Sequence, residues 1–132
     1  MKNFAPLIIS GASGSGKSTL ITDLLLKYSN LFNLTISQTT RSIREGEIPN
    51  FHYYYINETE FVNMVSTDKF LEHEKVHTNY YGTSKAEIER IKHLKKIAIL
   101  DIDIKGNYYN KKIIAYIKVN KSFIKGRIKT KK

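Results

Sequence analysis

Leu7-Ile8-Ile9-Ser10-Gly11-Ala12-Ser13-Gly14-Ser15-Gly16-Lys17-Ser18-Thr19-Leu20 is the stretch on which the fold turns. Pro6 to Ser10 is a short apolar run that reads as a strand. Beyond the glycines, Leu20, Ile21, Leu24 and Leu25 fall on one face of a helix. Between the two lies Gly-x4-Gly-Lys-Ser. Glycines at this spacing let successive backbone N–H groups turn inward around a phosphate, and the helix N-terminus adds partial positive charge. Lys17 supplies a mobile cation. Ser18 offers a hydroxyl to a Mg²⁺ ion that bridges the β- and γ-phosphates. The expectation is that Gly11, Ala12, Ser13, Gly14, Ser15, Gly16, Lys17, Ser18 and Thr19 cradle a nucleoside triphosphate. The bland alternative is a glycine-rich turn with no ligand, and the position between a strand and a helix speaks against it.

Such a loop needs a carboxylate at the end of a neighbouring strand, to hold the ion and its waters. Ile97-Ala98-Ile99-Leu100-Asp101-Ile102 is apolar on both faces and too short for a helix, as a buried parallel strand should be. Asp101 is the natural second metal residue. The competing role is a strand-end aspartate that caps backbone. Asp103, two residues on, projects on the same face if the strand continues. A further strand is expected at Ile113 to Val119, so strands alternate with helices and predict an α/β domain with a parallel sheet flanked by helices.

The middle of the chain reads differently. A strand is expected near Leu34 to Ser37 and an aromatic strand at His52 to Ile56. A helix opens at Asn57, with Glu60 completing a capping box and Phe61, Met64 and Val65 on one face. Another runs from Ser84 to about Leu94, with Ile88 and Ile91 inward and Glu87, between Lys85 and Arg90, on the wet side. The layout is one domain over 1–132, with a core of about 1–34 and 84–132 and an inserted lobe of about 35–83.

Bulk properties fit that layout. A chain of 132 residues that is 41% hydrophobic can bury one core with an inserted lobe. No apolar run approaches the roughly 20 residues of a membrane helix, and no secretory signal core precedes the glycine loop. The absence of cysteine excludes disulfides and thiolate metal sites and suits a reducing cytoplasm. The four histidines lack metal-ligand spacing. The net charge of +10 invites a nucleic-acid reading. Lysine, asparagine, isoleucine and tyrosine are all abundant, however, as an AT-rich gene would produce. Compositional drift plus small phosphorylated ligands is the preferred account, without a dedicated nucleic-acid surface and without a membrane. Nothing in the sequence sets an oligomeric state.

Further motifs follow in a fixed order: Thr39-Thr40-Arg41-Ser42-Ile43-Arg44-Glu45-Gly46-Glu47, Tyr53, Phe70-Leu71-Glu72-His73, Asn79-Tyr80-Tyr81-Gly82-Thr83-Ser84 and Leu100-Asp101-Ile102-Asp103. With the glycine loop, they closely resemble guanylate kinase, particularly the bacterial form, almost continuously over residues 5 to 106. The resemblance implies a P-loop sheet with an inserted GMP-binding lobe and transfer of the γ-phosphoryl group of ATP to GMP, with Mg²⁺ as cofactor. It implies that Arg41, Arg44, Tyr53 and Tyr81 clamp the GMP phosphate, and that Ser37, Glu72, Thr83 and Asp103 recognise guanine. Lys17, Arg41, Arg44, Asp101 and Arg127 would be the catalytic set.

Residue chemistry agrees. A phosphate dianion favours guanidinium forks and phenol donors. One carboxylate can accept from guanine N1–H and its 2-amino group together, and would be left unpaired against adenine. For Ser37 and Thr83, local capping is an alternative of nearly equal standing. Arg41 and Arg44 could instead be solvated loop charges, Glu72 a surface acid between Lys69 and Lys75, and one of Tyr53-Tyr54-Tyr55 is expected to be strand filling.

After Gly106 the likeness weakens. Asn107 to Lys112 is shorter than the family's helix, Asn120-Lys121-Ser122 stands where the family has a Pro-Pro-Ser-like turn, and Arg127 resembles the arginine leading into the mobile lid. The expectation is therefore a guanylate kinase with an incomplete lid and C-terminal region and reduced turnover. The alternative is a non-catalytic guanylate-kinase-like module that binds nucleotide or peptide.

Overall fold

The structure, a computed structural model, describes residues 5–11, 14–102 and the backbone of 115–118. The chain forms two compact units, one from residues 1–34 and 91–132, the other from 35–90.

In the first unit, β1 (Leu7–Ser10), β2 (Phe32–Leu34), β7 (Ile97–Asp101) and β8 (Ala115–Lys118) form one sheet in the order β2-β7-β1-β8, every pair parallel. The apolar run expected of a buried parallel strand is confirmed: Ala98, Ile99 and Leu100 are buried, as are Ile8 and Ile9 opposite them. Helix α1 (Lys17–Lys27) lays Leu20 and Ile21 against Ile9 and Ile99, with Leu24, Leu25 and Phe32 around them. This packing fixes the end of β1 against the start of α1, which positions the glycine loop.

The second unit is a mixed sheet in the order β4-β3-β6-β5, from β3 (Ser37–Thr39), β4 (Tyr53–Tyr55), β5 (Phe70–Val76) and β6 (Asn79–Ser84). Helix α2 (Glu58–Ser66) starts as expected, with Asn57 accepting a hydrogen bond from the Glu60 N–H at 2.8 Å. Phe61 is fully buried against Phe70 and Tyr80, whereas Val65 is exposed. Helix α3 (Lys85–His93) follows β6, and Ser84 Oγ accepts from the Glu87 N–H.

Two expectations need correction, and one element was not anticipated. The strand placed near Leu34 to Ser37 is two strands: Leu34 ends β2 and Ser37 begins β3, in different sheets. Alternating apolar residues mark extended chain but not a change of sheet. The hairpin β5–β6 has no counterpart in the sequence reading, because its two-residue turn is His77-Thr78, with His77 at φ 56, rather than an Asn-Gly or Asp-Gly pair. Glu87 is not on the wet side but is 3% exposed. It lies four residues before Ile91, so one helical turn carries it inward on the same face.

Candidate active site

In the first unit, Gly14 (φ 74) and Gly16 (φ 95) hold the left-handed backbone that turns the loop into α1, a conformation in which a β-carbon would be strained. Gly16 is the N-cap and offers no side chain to the first helical N–H groups. N–H groups of a first helical turn are the kind of donor that a phosphate takes. Ser15 Oγ is buried and has no hydrogen-bond partner among the described residues. A buried hydroxyl without a partner is unfavourable by about 1–3 kcal/mol, and a phosphate oxygen would supply one.

Lys17, at the first turn of α1, pairs with Asp101, the last residue of β7, at 2.8 Å. Parallel register brings Asp101 beside Ile9, so β1 delivers the loop and β7 the carboxylate to one end of the sheet. Ser18 and Thr19 are exposed on the same first turn. The serine hydroxyl and the aspartate carboxylate are hard oxygen donors of the type Mg²⁺ prefers. Of the other expected residues of this unit, Ala12, Ser13, Asp103 and Arg127 lie outside the described residues.

In the second unit, register sorts the candidates by face. Gln38 aligns with Tyr54 and Gly82, while Ser37 aligns with Tyr53 and Thr39 with Tyr55 and Tyr81. Because side chains alternate along a strand, Ser37, Tyr53, Tyr55, Tyr81 and Thr83 share one face. A bulge between Phe70 and Glu72 puts one extra residue into β5. Phe70 thereby packs under the Gly82 side with Phe61, and Glu72 comes to the opposite face, across from Thr83.

There Thr83 Oγ1 donates to Glu72 Oε1 at 2.7 Å, and Ser37 Oγ lies 3.4 Å from Thr83 Oγ1. Thr83 has one hydroxyl proton and spends it on the carboxylate, so Ser37 must be the donor in the second contact. Burial pushes the Glu72 carboxyl above its ordinary value, against the Thr83 hydrogen bonds, which pull it down. Glu72 is a partly desolvated acid that accepts from the Thr83 side chain.

Two residues along β6, about 7 Å away, Tyr81 marks the second cluster. Its ring stands 6.1 Å from that of Tyr53, over which the Arg41 guanidinium lies at 5.3 Å. Arg41 makes an end-on fork with Glu47, Nη2 to Oε1 at 2.7 Å and Nη1 to Oε2 at 3.1 Å, and its Nη1 also donates to the Ser42 carbonyl. The Glu47 bond drives the guanidinium pKa up, burial opposes it, and the Tyr81 hydroxyl adds to the rise. Arg44 is exposed and joins the cluster through its backbone N–H, which donates to Glu47 Oε2 at 2.9 Å.

The three consecutive tyrosines divide as alternation requires. Tyr53 faces Arg41, Tyr55 donates to Glu47 at 2.6 Å, and Tyr54 turns to the other face to donate to Glu87 at 3.0 Å. Glu47 belongs to a motif read from the sequence but has no role assigned there. Nothing local distinguishes it from Glu45, which precedes the same glycine.

A profile of the guanylate kinase family matches residues 3–128. Curated relatives include the guanylate kinase of Sulfurimonas denitrificans, 42% identical over 106 residues, covering 80% of this chain and 51% of that protein. That of Helicobacter hepaticus is 41% identical over 108 residues, covering 82% and 54%. That of Sus scrofa is 38% identical over 101 residues, covering 76% and 51%. The chain thus spans about half the length of these relatives. Among solved structures, guanylate kinase from Anaplasma phagocytophilum superposes with a TM-score of 0.61 at 22% identity, over 89% of this chain and 62% of that one, which speaks for the fold. With glycine loop, paired Lys17 and Asp101, and a lobe that groups Ser37, Glu72 and Thr83 beside Arg41, Tyr53 and Tyr81, the chain belongs to the guanylate kinase family.

Proposed function

We propose that the chain transfers the γ-phosphoryl group of ATP to GMP, giving ADP and GDP. The observation that carries this reading is Glu72, a half-buried carboxylate at the end of a Ser37–Thr83 hydroxyl relay, on the same sheet face as the Arg41–Tyr53–Tyr81 cluster. Guanine offers N1–H and the 2-amino group side by side, two donors from which such a carboxylate can accept. Adenine offers an acceptor at N1 and nothing at C2, so AMP would leave the acid unpaired. A site built on hydrogen bonds of this kind rejects the analogue lacking them by roughly 10⁴-fold in kcat/KM.

At the other site, loop amides and Lys17 would hold the donor phosphates. Ser18 and Asp101 would hold Mg²⁺, which neutralises charge on the transferring group. Asp103 and Arg127 retain the guanine and lid roles suggested by their match to the family. The nucleotides, rather than nucleic acid, are the partners in this reading, and the cytoplasm is its compartment.

The test is a coupled ADP-release assay with GMP, AMP and dUMP as acceptors, with and without Mg²⁺. GMP-dependent release that disappears without the ion and in Lys17→Ala is the expected result. No release at high enzyme concentration, with GMP still bound in a calorimeter, would replace the kinase with a non-catalytic binding module.

A further inference from the structure

Glu47 accepts four hydrogen bonds inside the lobe. Oε1 accepts from Arg41 Nη2, and Oε2 accepts from Arg41 Nη1, the Arg44 N–H and the Tyr55 hydroxyl. The turn that brings it there closes with the Glu47 N–H donating to the Arg44 carbonyl at 3.0 Å, with Gly46 at φ 82. That is the left-handed value a type II turn requires at its third residue. These donors, the Arg41 bond first, hold the Glu47 carboxyl at about 2. Glu72 shows the opposite, a carboxyl raised by burial. Glu47 accepts from Arg41, Arg44 and Tyr55, whereas Glu72 accepts from Thr83.

The geometry of the Arg41 fork matters. A guanidinium has two edges on which two N–H groups run parallel: the end, Nη1 with Nη2, and the side, Nε with Nη2. Glu47 occupies the end edge, and the Ser42 carbonyl takes the remaining Nη1 proton. The protons that remain after Glu47 and Ser42 are those of the side edge, and the Tyr81 hydroxyl, which also bonds this guanidinium, shares that edge with a ligand.

From this we propose that Glu47 is a positioning residue of the acceptor-phosphate clamp, locking Arg41 by its end edge so that the Nε–Nη2 edge is presented to the phosphate monoester of the acceptor nucleotide. This inference rests on the GMP reading above. Glu47 touches no substrate in it. Its negative charge is taken up by four donors and acts on the ligand through the orientation of Arg41.

The experiment compares GMP and guanosine binding by calorimetry in the wild type, Glu47→Gln and Tyr55→Phe, with kcat and the KM values for GMP and ATP alongside. Guanosine keeps the base and lacks the phosphate. Glu47→Gln is expected to lose roughly tenfold to a hundredfold in GMP affinity, the range of a charge-assisted hydrogen bond. Its KM for GMP should rise in step, with guanosine affinity and the KM for ATP unchanged. Tyr55→Phe, which removes one of the four donors, should lose less in the same direction, and it carries the test if Glu47→Gln does not fold. Unchanged GMP affinity in both variants overturns the proposal, and so does an equal loss for guanosine. Tighter GMP binding would mean that Glu47 competes with phosphate for Arg41. Failure of the wild type to bind GMP would remove the underlying reading itself.

Discussion

Replacing Glu87 with alanine should destabilise the second unit by about 3.5 kcal/mol, and the figure can be built from its contacts. The carboxylate accepts from the Ile36 N–H at 2.9 Å, the Tyr54 hydroxyl at 3.0 Å, and Arg90 Nε and Nη2 at 3.0 and 2.7 Å. The Arg90 side chain is 40% exposed against 1% for Glu87, so Arg90 rehydrates when its partner is removed and adds little. The other two donors are partly buried, and each orphaned donor costs about 1–3 kcal/mol, taken at the lower half because water has partial access. The one lost methylene adds about 0.8 kcal/mol, less a few tenths for the higher helix propensity of alanine. The sum lies within the roughly 3–5 kcal/mol typical of breaking a buried ionic network. Urea unfolding followed by tyrosine absorbance measures it directly. Glu87→Gln keeps one acceptor and should lose about half as much. A loss below about 1 kcal/mol for Glu87→Ala would refute the claim that this acid ties β3, β4 and α3 together.

Two further outcomes follow from the lobe. A β-carbon on Gly82 would stand 2.8 Å from Phe70 Cε1 and 3.0 Å from the Glu72 carbonyl, and the Phe70 ring is held against Phe61 at 4.5 Å. Gly82→Ala should therefore cost about 1–3 kcal/mol and weaken GMP binding, read by denaturation midpoint and calorimetry; a neutral result would mean the hairpin yields freely. Glu72 has its folded-state pKa raised above the ordinary 4.5 by burial. Such a group contributes stability that is present below 4.5 and is lost as pH rises through the folded value. The melting temperature of ligand-free Glu72→Gln should thus gain on the wild type between pH 4 and 7, while its preference for GMP over AMP collapses. A pH-independent difference in melting temperature would contradict the desolvation account.

The parts of this molecule that were legible in the sequence are those where local pattern and tertiary role coincide. Ile97 to Leu100 must be apolar on both faces because a parallel strand is covered on both, and the glycines of the loop must be glycines because of Gly14 and Gly16 at positive φ. The grouping of Ser37, Glu72 and Thr83 could be anticipated only through likeness to a family. The three residues come from different strands, and the bulge that turns Glu72 to the right face leaves no local mark. Glu87 runs against its residue type, because helical phase and not charge decides which way it points. Glu47 went unassigned because its role depends on where Arg41 and Tyr55 arrive, which only the folded turn decides.

Tyr53-Tyr54-Tyr55 has one more implication. In most strands, an alternation of greasy and polar residues tells the chain which way round to lie, and sliding by one residue is punished by turning that pattern inside out. Three identical side chains carry no such instruction. Sliding β4 past β3 by a single position would still put a tyrosine in two of the three places. The information must come from the acids that receive the hydroxyls, Glu47 for Tyr55 on one side and Glu87 for Tyr54 on the other. The pair acts as two pegs through a featureless ribbon, and a chain lacking both would be free to settle one notch out of place.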